Sequence, residues 1–227
     1  MKKFITLFAL VAACSIMYGQ VEYTNFKDSD SEATQILDQL YRYISEASDY
    51  TVDFSLSLEY SGEQPHIQIG KLSQSGDSYL LDLDSQSIYA AGDIQWTHLK
   101  DENEVLIDSR NQEDIDENLS LTPLGLLSLY RGEEFVYAIL NTEPFESSTR
   151  YFIEFKPLDD HSDYSKIRVN IVDQKVPNLE EITVFNKDGS RYVIEIAEMD
   201  INQGLEADYF TFDKDKHPGI HVEDVRL

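Results

Sequence analysis

One stretch constrains this chain more than any other: an amphipathic helix signal that runs straight into a strand signal. Ala33, Ile36, Leu37, Leu40, Tyr41 and Ile44 recur at helical spacing and form a single apolar stripe. Ser29 and Glu32 offer a capping box just ahead of it. Then Val52, Phe54, Leu56, Leu58 and Tyr60 alternate with Asp53, Ser55, Ser57 and Glu59, the two-residue period of a half-buried strand. A helix with one greasy stripe has to bury it, and the greasy face of a sheet is the natural partner. The chain therefore predicts a helix lying on a sheet, and the space between the two is where function is to be sought.

The sheet pattern continues through most of the remaining sequence. Ser61–Pro65 and Ser75–Asp77 read as turns. Ile67 and Ile69 share one parity and Leu72 the other, so a bulge is expected at Gly70. Tyr79, Leu81 and Leu83 alternate with polar residues. A hairpin is expected through Ala91–Asp93, and Val105 with Ile107 makes one more short strand. The acidic segment Asn111–Asn118 reads as a loop. Thr122 and Pro123 then open a short greasy helix containing Leu124 and Leu127, which Gly132 can end. Strands resume from Phe135, with Asp188-Gly189 marking a hairpin and Tyr209–Phe212 as the last strand. No βαβ alternation occurs. The expected architecture is mainly β with α: a large curved antiparallel sheet of ten or eleven strands with two helices on its concave side.

Lys2 and Lys3 followed by the apolar run Phe4–Ala13 read as an export signal, too short for a stable membrane anchor. Cleavage is expected near Gly19 or Gln20, leaving residues 21–227 as one domain. Val11-Ala12-Ala13-Cys14 also reads as a lipobox, in which Cys14 is acylated and anchors the protein to a membrane. Cys14 is the sole cysteine, so the domain gains nothing from disulfides or a cysteine–zinc site and relies on its core. A net charge of −25 argues against nucleic acid as a partner.

Catalytic signals are weak. The five histidines are scattered, and Pro218-Gly219 separates His217 from His221 where a metal-binding helix face needs continuous turns. Asp159–Asp163 lacks the glycine and distal glutamate of a calcium loop. Neither a nucleophile elbow nor a phosphate-binding glycine loop occurs. We expect no enzyme, cofactor or metal. The 14 tyrosines and 11 phenylalanines stand out instead. A curved sheet covered by only two helices has room for an apolar pocket as well as a core.

Several segments, in order and covering nearly all of the chain from residue 21, resemble the outer-membrane lipoprotein carrier protein (LolA) family. The first helix with Asp49-Tyr50-Thr51-Val52-Asp53-Phe54 is similar to that family's opening. Gly70-Lys71-Leu72 resembles its Gly-x-Leu strand, and Ala91–Trp96 its Gly-to-Trp hairpin with the Trp one position closer. Leu121-Thr122-Pro123-Leu124 resembles its Thr-Pro helix. Phe210-Thr211-Phe212 with Pro218-Gly219-Ile220-His221-Val222-Glu223-Asp224 resembles its closing signature. The resemblance implies an incomplete, open β-barrel with an α-helical lid over a hydrophobic cavity. It implies a periplasmic, monomeric chaperone that takes acylated lipoproteins from an inner-membrane release transporter to the outer membrane, where a receptor accepts them. A membrane-anchored receptor or lipid sensor of the same fold is the alternative if Cys14 is acylated. On this reading Leu37, Leu40, Tyr41, Phe54, Leu56, Leu58, Tyr79, Leu81, Trp96, Leu124 and Leu127 line the cavity. The family often carries an Arg-Pro tied to lid closure, where this chain has Gln74-Ser75-Gly76-Asp77.

Overall fold

Alternating strands joined by tight turns assemble into one curved sheet. The structure, a computed structural model, describes residues 25–110 and 122–226. Cys14, the export signal and the Asn111–Asn118 loop lie outside the described residues. Among those described, twelve strands pair in the order β12-β6-β5-β4-β3-β2-β1-β11-β10-β9-β8-β7, and the sheet does not close into a barrel. One half is the meander β2 (His66–Ser75), β3 (Ser78–Leu83), β4 (Gln86–Ala91), β5 (Ile94–Leu99) and β6 (Glu104–Ser109). The other is β7 (Phe135–Phe145), β8 (Ser148–Pro157), β9 (Tyr164–Asp173), β10 (Asn178–Asn186) and β11 (Arg191–Ile201). Strand β1 (Tyr50–Glu59) joins the halves by pairing antiparallel with both β2 and β11.

Helix α1 (Ser31–Ser45) buries Ala33, Ile36, Leu37, Leu40 and Ile44, the stripe read from its spacing. Its cap is Asp30 rather than Ser29: Asp30 Oδ1 accepts the Glu32 amide at 2.8 Å, while Ser29 Oγ accepts the Tyr137 amide at 3.2 Å and ties the helix start to β7. Helix α2 (Pro123–Ser128) starts as its sequence predicts, with Thr122 Oγ1 accepting the Gly125 amide at 3.1 Å. The main core lies on the concave side, where the α1 stripe meets Leu127, Tyr137, Phe155, Val169 and Ile171.

Two expectations are corrected. Gly70 carries no bulge, because β2 stays in register with β1 from His66 to Gln74; Ile67 and Ile69 simply face outward, 61% and 59% exposed. The bulge falls on β11, where Asp53 pairs with Glu198 and Phe54 with Ile196, skipping Ala197. Tyr209–Phe212 forms no strand: Ala207–Phe210 is a 3-10 turn, and the last strand is β12 (His221–Asp224), which pairs with β6 in parallel. The segment between them makes a second, small core on the convex face. There Phe210 is buried, and Phe212 packs against Tyr89, His98 and His217 at ring centroid distances of 5.7, 5.3 and 4.8 Å.

Candidate functional site

Helix α1, at 15 residues, is roughly 22 Å long, whereas a ten-residue strand spans about 33 Å. The helices therefore cover only part of the concave face, and the uncovered part is a cavity. Strand β1 shows the division directly. Tyr50 and Val52 are buried in the core, and Phe54 and Leu56, further along the same face, line the open space. Strand β11 repeats it: Met199 and Ile201 pack on the core, while Tyr192, Ile194 and Ile196 line the cavity.

The cavity has a volume of about 1020 Å³. One wall comes from Phe54, Leu56, Leu72, Tyr79, Leu81 and Ile88 on β1 to β4. The opposite wall comes from Ile167, Ile182 and Val184 on β9 and β10, with the three β11 residues. Polar lining is concentrated at the β8–β9 and β10–β11 turns, where Asp163, Tyr164, Asn186, Lys187 and Asp188 form a rim; Thr122 contributes from the start of α2. The rim is internally tied. The Lys187 amide donates to the Asp163 carbonyl at 3.0 Å, and Asp188 Oδ1 accepts from Ser190 Oγ and its amide at 2.6 and 2.8 Å. These bonds, the side-chain one first, hold the Asp188 carboxyl below the usual carboxylate range.

Gly70 lies directly across from Phe54. A Cβ at Gly70 would sit 2.5 Å from Phe54 Cζ and 2.7 Å from Leu83 Cδ2. The absence of a side chain there leaves room for the tip of the Phe54 ring. At the covered end, Tyr130 OH donates to Asp38 Oδ1 at 2.5 Å, linking the turn after α2 to α1. Burial, then the bond to the Asp38 carboxylate, pushes the Tyr130 hydroxyl pKa far up, so it stays a donor. Tyr41 packs edge-on to Tyr130 at 6.1 Å with the Arg131 guanidinium 4.6 Å over its ring. Gln74 accepts from Tyr50 OH and donates to the Gly76 carbonyl at 3.0 Å.

Of the residues read from sequence as lining, the structure brings Phe54, Leu56, Tyr79 and Leu81 onto the cavity wall. Leu37, Leu40 and Leu127 are fully buried in the core, because the helix stripe is consumed in packing α1 onto the sheet. Tyr41 is partly buried against that core. Leu58 lies beyond the lining, near the end of β1. Trp96 is on the other face: it pairs with Tyr89, whose neighbour Ile88 points into the cavity. The side chain of Leu124 is outside those described. The residues missed are mostly on β9 to β11. Their alternation was visible, but which parity faced inward depends on register with β1. Among the described residues no group of three or more histidine, cysteine or carboxylate side chains is placed to hold a metal, and no helix is long and apolar enough to cross a membrane.

No family model and no curated protein matches the sequence. Solved structures do match. The chain is similar to an uncharacterized conserved protein from Thermus thermophilus, with 9% identity, 86% of this chain and 99% of that one covered, and a TM-score of 0.53. It is also similar to a LolA superfamily protein from Nitrosomonas europaea (13% identity, 80% and 98% covered, TM-score 0.41) and to lipoprotein LppX of Mycobacterium tuberculosis (11%, 79% and 100%, TM-score 0.47). At these identities the likeness is one of fold. What is shared is an open, mostly antiparallel sheet with helices on its concave side.

Proposed function

We propose that this protein binds the acyl chains of lipoproteins in its cavity and carries them across the envelope of a bacterium, between inner and outer membrane. The cavity carries the reading. At about 1020 Å³ it is at the upper end of the roughly 300–1,000 Å³ range of ligand pockets. Its walls are aliphatic and aromatic, and its polar groups are gathered at one rim. Burying a methylene contributes about 0.8 kcal/mol, so about ten methylenes supply about 8 kcal/mol before the entropic cost of association. That range suits cargo that must be released as well as held. The ordered motif resemblance supports the same reading, and the apolar N-terminal run supports export. Acylation of Cys14 would make the domain an anchored receptor of the same cargo.

Leu56→Arg tests the assignment by placing a charge on the cavity wall. A folded variant is expected to lose binding of a diacylated lipopeptide, while Ile69→Arg on the outer face retains it. Undiminished binding by folded Leu56→Arg would overturn the reading. Fatty-acid labelling of wild type against Cys14→Ser separates carrier from receptor.

A further inference from the structure

Beyond the apolar walls, one buried guanidinium keeps donors that the fold does not use. Arg110 follows the last residue of β6 and is only 5% exposed. Its Nη2 donates to the Asp77 carbonyl at 3.2 Å, and its amide donates to the Asp93 carbonyl at 2.8 Å. Nε and Nη1 are buried and make no hydrogen bond. Among the described residues no carboxylate pairs with it. A guanidinium is always charged, and leaving its donors unmet in a low-dielectric setting is costly.

The location is informative. The guanidinium lies 5.4 Å from the centroid of the Tyr79 ring, and Tyr79 is a wall of the cavity. Tyr79 OH in turn donates to Gln95 Oε1 at 3.2 Å. A cation with two unused donors therefore stands directly behind an aromatic side chain that bounds an apolar space.

We propose that Arg110 receives the anionic head group of a single-chain lipid whose tail lies in the cavity, with Tyr79 moving aside to admit it. This rests on the reading of the cavity as an acyl site and adds the head-group chemistry. An anion at this position would pair the buried charge and occupy donors the fold leaves unused. Carboxylate and phosphate share that chemistry.

The test compares palmitate, hexadecyl phosphate and hexadecanol, which share one tail, by calorimetry on the full chain. Charge-assisted hydrogen bonds imply that wild type binds one or both anions about tenfold or more tighter than the alcohol. Which anion is favoured identifies the head group. Arg110→Gln is expected to lower the anions to the level of the alcohol and leave the alcohol unchanged. Arg110→Lys, which keeps the charge, is expected to retain the preference in reduced form and serves if Arg110→Gln does not fold. Equal affinity of wild type for all three ligands would overturn the proposal, as would a preference that survives Arg110→Gln; either leaves Arg110 a structural residue served by water. If wild type binds none of the three but binds the diacylated lipopeptide, this inference falls and the acyl-site reading stands; if it binds neither, both fall.

Discussion

Substituting alanine for Gly70 puts a methyl group where two side chains of the cavity region already meet. The new Cβ would be 2.5 Å from Phe54 Cζ and 2.7 Å from Leu83 Cδ2, whereas carbon atoms in contact prefer about 3.5–4.0 Å. Each neighbour must yield by about 1 Å or more. Overpacking of this kind costs about 1–3 kcal/mol. Alanine offsets about 0.5–1 kcal/mol of that by restricting the unfolded chain in a strand position. The net expectation is a loss of up to about 2.5 kcal/mol, read as a lower urea midpoint at unchanged slope. The Phe54 ring would be displaced from its place on the wall, so under the proposed function acyl affinity should fall as well. In a Phe54→Leu background most of the obstruction is gone, leaving the Leu83 methyl to adjust, and the cost of Gly70→Ala should shrink markedly. If Gly70→Ala is stabilising in wild type, or costs as much in the Phe54→Leu background as in wild type, the packing argument is refuted.

Leu37→Ala, which empties a fully buried position of the α1 stripe, is expected to cost about 2–5 kcal/mol in urea unfolding; Leu56→Ala, beside space that is already open, should cost clearly less. Asp49 accepts from Ser48 Oγ and from the Gln203 and Gly204 amides at 2.8, 2.7 and 3.1 Å. Burial raises its pKa, but these bonds outweigh that and hold it below the usual value. Its stabilisation is thus present above the unfolded pKa of about 3.9 and lost as pH falls through the folded one. Asp49→Asn should cost about 1–3 kcal/mol at pH 7 and less at pH 3, and an equal cost at both would sink the argument. His98, 8% exposed, has its pKa lowered by burial, then by His217 and Lys100, against an opposing pull from Asp82. A depressed histidine stabilises above its unfolded pKa of about 6.5 and loses that as pH falls. Amide exchange across residues 207–224, corrected for intrinsic rates, should therefore speed up at pH 5.5, and His98→Phe should remove the effect.

Periodicity located the helix stripe, most strands and the hairpin turns, because those depend on spacing within one element. The cavity wall depended on something else. Alternation says which residues share a face, but not which face is concave. Leu81 was placed by its own strand's pattern, whereas Trp96 went to the wrong side because an aromatic residue in a hairpin looks equally apt for either. The same limit hid Ile182, Ile194 and Ile196, whose inward direction is fixed by pairing of β11 with β1 across a bulge at Ala197. Helical residues carried the opposite difficulty. Leu37 and Leu40 have the right chemistry for a lipid site, but a stripe long enough to dock a helix is used up in docking it. Strand β12 is four residues long and pairs in parallel, so it offered too few positions for a period to register. Arg110 gave no pattern at all, since an unpaired buried charge is a property of the assembled structure.

The place of β1 in the sheet order has a temporal side. Tyr50 pairs with Ile201 and Glu59 with Arg191, so the seam between the halves closes only when strands from opposite ends of the sequence meet. The β2–β6 meander can form from local hairpins as soon as it is made, but β1 then presents an open, apolar edge until β11 arrives. A chain emerging N-terminus first holds that edge exposed while more than half of its residues are still to come. The β1–β11 seam of this protein thus waits on synthesis of β11. A nascent chain stalled before β11 would offer β1 to any strand that reached it first.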